Sequence, residues 1–123
     1  MYKFTRCTYE ELKTILEKNY FQLSGWKFIK KEYVEYVEKI ESETGELIAL
    51  IHYYFKDNFK DKSCCLAFFE VLKEYRGKGH GKEIIKQFLN SYSEEVYLTP
   101  YDDAIPFGEK CGFEGAATMH YNI

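Results

Sequence analysis

No stretch of this 123-residue chain comes near the roughly eighteen consecutive apolar residues that a membrane-spanning helix needs. Its opening segment, MYKFTRCTYEE, turns acidic before any apolar run begins, so no signal peptide or anchor is expected. An excess of positive charge is missing too: 17 basic side chains face 20 acidic ones, a formal charge of -3. That leaves no footprint for a nucleic acid, although a local basic cluster can still hold phosphates. Four cysteines (Cys7, Cys64, Cys65 and Cys111) form no CxxC pair, and the three histidines are scattered. The pattern offers no metal site, and it reads as reduced thiols in a cytoplasmic setting. Internal repeats and low-complexity linkers are absent as well, so residues 1–123 are expected to form one domain.

What is present suits a globular fold. Hydrophobic residues make up 46% of the chain and charged ones 30%, and a chain of this length can bury a core without disulfides or metals. The 12 tyrosines and 10 phenylalanines fit half-buried positions on sheet faces or the lining of an amphipathic groove. Tyr2–Arg6 alternates weakly, as a short first strand would. Thr8 then opens a capping box with Glu11, and Leu12, Ile15 and Leu16 supply the apolar stripe of a helix ending near Asn19. Tyr20–Lys31 fits either a short helix or a loop over the sheet. Glu32–Glu41 reads as a strand, with Val34, Tyr36 and Ile40 sharing one parity. Glu46–Phe55 reads as a stronger strand, and Gly45 between the two can take the positive φ of a hairpin turn. CCLAFFEVL is the most apolar run and therefore the expected central strand. Beyond it, Ile84, Ile85, Phe88, Leu89 and Tyr92 recur at helical spacing. A strand at Glu95–Thr99, a helix from Asp102 or Asp103 to about Lys110, and a last strand from about Ala117 to Ile123 complete an α/β chain with a mixed sheet.

Arg76-Gly77-Lys78-Gly79-His80-Gly81 joins the central strand to the clearest helix. Three alternating glycines remove side chains where a backbone must approach a ligand. The following helix start adds unpaired N–H groups and the positive end of its dipole. Phosphate suits such a turn, and Arg76, Lys78 and Lys82 bring positive charge to it. Neither common nucleotide loop fits: the dinucleotide fingerprint would need glycine at Lys82, and the triphosphate loop would need Ser or Thr at Glu83.

FFEVLKEYRGKGHGKEIIKQFL resembles the coenzyme-binding motif of the GNAT family of N-acetyltransferases, R/Q-x-x-G-x-G/A after the fourth strand, here Arg76, Gly79 and Gly81. AIPFGEKCGF resembles that family's second motif on Ala104, Phe107, Gly112 and Phe113. The resemblance implies an acyl-CoA N-acyltransferase fold, with acetyl-CoA as cosubstrate and a small-molecule or peptide amine as acceptor. It places the pantetheine arm along the backbone of Glu70, Val71 and Leu72. The pyrophosphate falls on the N–H groups of Gly77, Lys78, Gly79, His80 and Gly81, supported by Arg76, Lys78 and Lys82. Three features depart from the family, one of them Tyr101 where an asparagine is common. Gly108 stands where a tyrosine is common, which either lowers the rate or passes the general-acid role to Tyr101 first, then Tyr97 or water. Only about one strand follows Gly112-Phe113 where the family has two, so the C-terminal strand region is shortened and pairing with a second copy is an expectation. A module that binds coenzyme A without turnover, or one that only keeps the fold for regulation, is the alternative to a catalyst.

For the proton acceptor, Glu70 is the candidate, because a carboxylate inside an apolar strand needs a reason; the alternative is a salt-bridged role. His52 and His120 have suitable intrinsic pKa values but also suit hydrogen-bonded places in the sheet. Glu32, Glu35, Glu38, Glu41, Glu43 and Glu46 crowd the hairpin and, with Asp102 and Asp103, raise the expectation of a cationic acceptor.

Overall fold

The computed structural model describes residues 1–57, 62–91, 95–98 and 119–121. Six strands carry the chain: β1 (Lys3–Arg6), β2 (Val37–Glu41), β3 (Leu47–Asp57), β4 (Lys62–Val71), β5 (Glu95–Leu98) and β6 (Met119–Tyr121). Among the described residues there are two α-helices, α1 (Tyr9–Lys18) and α2 (His80–Asn90), with 3₁₀ turns at Ser24–Phe28, Lys31–Tyr36 and Lys73–Tyr75. The strands are hydrogen-bonded in chain order. Antiparallel pairing of β1 with β2 and of β2 with β3 gives way to parallel β4–β5 and antiparallel β5–β6, so the fold is mixed α/β. The residues group into two compact units, Met1–His52 with Phe68–Gly81, and Tyr53–Ala67 with Lys82–Ile123.

In the first unit, α1 begins at its capping box. Thr8 Oγ1 accepts from the Glu11 backbone N–H at 3.1 Å, and Glu11 Oε1 accepts from the Thr8 N–H at 3.2 Å. The other Glu11 oxygen accepts from Lys39 Nζ at 3.1 Å. Of the expected stripe, Leu12 is buried, and Ile15 and Leu16 pack against a core of Cys7, Leu12, Trp26, Val37 and Leu50. The Tyr20–Lys31 stretch resolves into the 3₁₀ turn at Ser24–Phe28, which drives Trp26 into that core. The strand expected over Glu32–Glu41 is corrected. Lys31–Tyr36 is 3₁₀, and pairing starts at Val37, which with Ile40 is fully buried. The parity of Val34, Tyr36 and Ile40 misleads because Val34 and Tyr36 lie in a 3₁₀ segment, which repeats every three residues, and only Ile40 lies in the strand. Gly45 takes φ +88° in the hairpin.

In the second unit, Ile84, Ile85, Phe88 and Leu89 of α2 are buried, as are Tyr53, Cys64 and Leu66. The Tyr53 and Phe88 rings meet at 5.3 Å, tilted by 57°. β5 and β6 lie where strands were expected. The helix expected over 102–110 and the second motif lie outside the described residues, as do Tyr101, Gly108 and Cys111. No described helix is long and apolar enough to cross a membrane.

Candidate active site

β4 ends at Val71, and the turn that follows stays in the first unit up to Gly81. Its entry is fixed by backbone hydrogen bonds: Leu72 N–H to Ile48 O at 2.9 Å, Tyr75 N–H to Leu72 O at 2.9 Å and Arg76 N–H to Lys73 O at 3.3 Å. Gly77 and Gly79 then take φ +76° and +85°, the left-handed region that side chains disfavour. A Cβ built on either glycine would meet no atom within 4 Å. Packing therefore does not require these glycines; the backbone conformation does, and the space beside it stays open. Lys78 and Lys82 are both exposed. α2 starts at His80, so its first N–H groups lack intrahelical acceptors just where the turn ends. The expected residues Gly77, Lys78, Gly79, His80 and Gly81 share this turn in the first unit, and Lys82 falls in the second.

Two members of the expected set have other partners. The Arg76 guanidinium turns back toward the protein. Its Nε donates to Val71 O at 2.9 Å, Nη1 to Gln22 Oε1 at 3.2 Å and Nη2 to Glu70 Oε2 at 2.9 Å. His80 Nδ1 shares a 2.6 Å hydrogen bond with the Tyr2 hydroxyl, and the Tyr2 and Tyr75 rings meet the imidazole edge-on at 5.8 and 5.7 Å. Tyr75 in turn donates its hydroxyl to Glu46 at 2.8 Å.

Glu70 is 6% exposed and ringed by donors. Oε2 accepts from the Gln22 N–H at 2.5 Å as well as from Arg76, and Oε1 accepts from the Leu23 N–H at 2.9 Å and from Trp26 Nε1 at 3.2 Å. A carboxylate offers about four lone-pair directions, and four donors occupy them. One buried carboxylate thus ties the end of β4, the 3₁₀ segment and the glycine-rich turn together. Sequence reasoning flagged Glu70 but missed its clamp, since Gln22, Leu23 and Trp26 lie more than forty residues away and carry no motif.

The same sheet face holds His52 opposite Val37, with its ring stacked on Phe68 at 5.9 Å. Burial pushes its pKa below the ordinary 6.5, only partly offset by a hydrogen bond to the Tyr36 backbone. Two of the acidic residues of the hairpin have partners: Glu43 binds the N-terminal ammonium at 2.8 Å and Glu46 accepts from Tyr75. Among the described residues, no group of three or more His, Cys, Asp or Glu is placed to hold a metal ion.

A family model described as the acetyltransferase (GNAT) family matches residues 1–113. The chain is similar to the Bacillus subtilis N-acetyltransferase YlbP solved with coenzyme A, at 17% identity and TM-score 0.71, over 100% of this chain and 97% of that one. It is also similar to a chimera of the Vibrio cholerae spermidine N-acetyltransferase SpeG and hSSAT, at 18% identity and TM-score 0.73, over 98% and 95% of the two chains. Glucosamine-6-phosphate N-acetyltransferase from Arabidopsis thaliana aligns at 18% identity and TM-score 0.61, over 94% and 92%. No curated protein matches the chain.

Proposed function

This chain belongs to the GNAT family of acetyltransferases, and from that premise we propose that it binds acetyl-CoA at the Gly77–Gly81 turn and transfers the acetyl group directly to a primary amine. One observation carries the reading. Gly77 and Gly79 hold positive φ with open space where each Cβ would stand, at the mouth of a helix whose first donors are unpaired. Acetyl-CoA would supply the activated thioester. The residues of this chain would supply the rest: backbone N–H groups of the turn for the pyrophosphate, Lys78 and Lys82 for its charge, and the β4 end at Val71 and Leu72 beside the pantetheine arm. Arg76 acts one step back. Held by Glu70, Gln22 and the Val71 carbonyl, it sets the path of the chain into the first glycine rather than meeting phosphate itself.

The named relatives pair this one fold with spermidine and with glucosamine-6-phosphate, compounds of opposite charge, so the acceptor is a property of local side chains. The transfer proposed is direct, with no acetyl-enzyme; Cys7, for its part, is buried, and its pKa is pushed up to about 11 by that burial, with Glu11 adding to it. Titration calorimetry with acetyl-CoA and a thiol-release assay over a panel of amines test the reading together. Saturable binding with thiol release, and no mass adduct after acetyl-CoA alone, is the expected result. Binding without release for any amine indicates a coenzyme A-binding module. In Gly79→Leu the side chain would enter the phosphate space, and affinity should fall by more than tenfold, about 1.4 kcal/mol or more; unchanged affinity in the folded variant removes the turn from the site.

A further inference from the structure

The glycine-rich turn has little of its own to hold it in shape. Gly77 and Gly79 sit at φ +76° and +85°, with no atom within 4 Å of the place where a Cβ would stand. Glycine also gives up more conformational freedom on ordering than any other residue. Such a backbone presents its N–H groups in one arrangement only when its two ends are fixed. Arg76 fixes the entry through its side-chain hydrogen bonds to Val71, Gln22 and Glu70. The exit is His80, which follows Gly79 and opens α2. Its Nδ1 shares a 2.6 Å hydrogen bond with the hydroxyl of Tyr2, 78 residues away along the chain. Its ring meets those of Tyr2 and Tyr75 edge-on, at interplanar angles of 80° and 83°, the favoured geometry for aromatic pairs. Both neighbours are themselves anchored. Tyr2 leads directly into β1, whose Lys3 pairs with Glu41 of β2. Tyr75 donates its hydroxyl to Glu46 at 2.8 Å, and Glu46 closes the hairpin by backbone bonds to Ser42 Oγ and from the Ser42 N–H. Every one of these residues belongs to the first unit.

We propose that Tyr2 is a positioning residue for coenzyme binding: by holding the His80 ring it fixes the exit of the turn, so that the N–H groups of Gly79, His80 and Gly81 are ordered before a phosphate arrives. The proposal rests on the acetyltransferase reading above and deepens its coenzyme site. Tyr2 acts through His80 and not on the coenzyme. The tether does not depend on the tautomer, because Nδ1 either accepts from the hydroxyl or donates to its oxygen. Ordering the turn in advance removes its conformational entropy from the cost of binding, which is how preorganisation raises affinity without adding a contact to the ligand. Arg76 and Tyr2 thus divide one task, the first at the entry of Gly77–Gly79 and the second at its exit.

Calorimetry with acetyl-CoA on the full chain, together with ¹⁵N relaxation of the free chain, tests the tether. Tyr2→Phe keeps the ring and removes the hydroxyl, and it should weaken acetyl-CoA binding about threefold. Tyr2→Ala removes the ring contact as well and should weaken it about tenfold. In a His80→Ala background Tyr2→Phe should cost nothing further, since its partner is gone. Relaxation should show the Gly77, Gly79 and Gly81 amides more mobile on the ps–ns timescale in Tyr2→Phe than in the wild type. Thr8→Ala, weakened at the cap of α1, serves as the control: it should keep wild-type affinity and wild-type mobility at the three glycines, which separates a tether from general loss of stability. Unchanged affinity in both Tyr2 variants overturns the proposal, as does an equal loss in Thr8→Ala or a full threefold loss from Tyr2→Phe in the His80→Ala background. Glycine amides as rigid in Tyr2→Phe as in the wild type overturn it too. A wild type that binds no acetyl-CoA defeats the acetyltransferase reading and this proposal with it, whereas wild-type binding beside unchanged Tyr2 variants defeats this proposal alone.

Discussion

A single buried carboxylate organises more of the first unit than any other polar group described. Glu70 takes two backbone N–H groups, an indole N–H and a guanidinium, so its desolvation is offset by charge-assisted bonds. Glu70→Gln keeps the shape but removes the charge opposite Arg76, and it turns an NH₂ toward donors. Loss of one partner from a fully buried pair costs about 3–5 kcal/mol; with the Arg76 side chain 37% exposed, about 2 kcal/mol is expected. A denaturant midpoint shift of that order supports a positioning role, whereas unchanged stability with a collapsed rate would restore Glu70 as a base. His52 makes a second residue-level prediction. Its pKa in the fold lies below 6.5 through burial, so the unfolded chain binds more protons in the window between the folded value and 6.5. The stabilising contribution is then complete above about 6.5 and is lost as pH falls through the folded value. Melting temperatures of wild type and His52→Gln between pH 5 and 8 should diverge toward acid, with the wild type declining more steeply.

At the level of elements, local chemistry and tertiary packing contribute separately. α1 carries its own start signal, the reciprocal Thr8–Glu11 bonds, and its ion pair to Lys39 lies on the surface. Thr8→Ala should cost about 1 kcal/mol, the usual value of a helix N-cap, and urea denaturation will read it directly. A loss well below a few tenths of a kcal/mol would mean that packing of Leu12 alone holds the helix. The 3₁₀ segments behave differently. Ser24–Phe28 has no side-chain cap, and its place depends on Trp26 in the core and on the Glu70 clamp. The β4–α2 connection combines both kinds of cause, since glycine permits positive φ locally while Arg76 pins the entry from outside.

For the molecule as a whole, the central expectation is linkage between coenzyme and stability. A ligand that binds only the folded chain stabilises it by RT ln(1 + [L]/Kd), about 2.7 kcal/mol at a hundredfold excess over Kd. For a chain of 123 residues that corresponds to a rise of roughly 8–12 °C in Tm. Thermal melts with acetyl-CoA, and with an equal concentration of inorganic phosphate as control, check it. Equal shifts from both would mean that the turn holds any anion.

The sequence by itself determined the elements whose causes are local. The capping box, the α2 stripe, the Gly45 hairpin and the glycine-rich turn each place their reason within a few residues of their effect, and the resemblance to the GNAT family rests on one of them. It misjudged Lys31–Tyr36, where parity mimicked a strand until packing of Val37 set where pairing begins. The surroundings of Glu70 and His52 were hidden for a related reason. Gln22, Leu23, Trp26, His52 and Phe68 meet only when the 3₁₀ segment lies on β3 and β4, and no spacing along the chain records that meeting. Only the tertiary structure decided that Glu70 is occupied and that His52 Nδ1 is not, because hydrogen-bond satisfaction depends on distance in space and burial rather than on residue type.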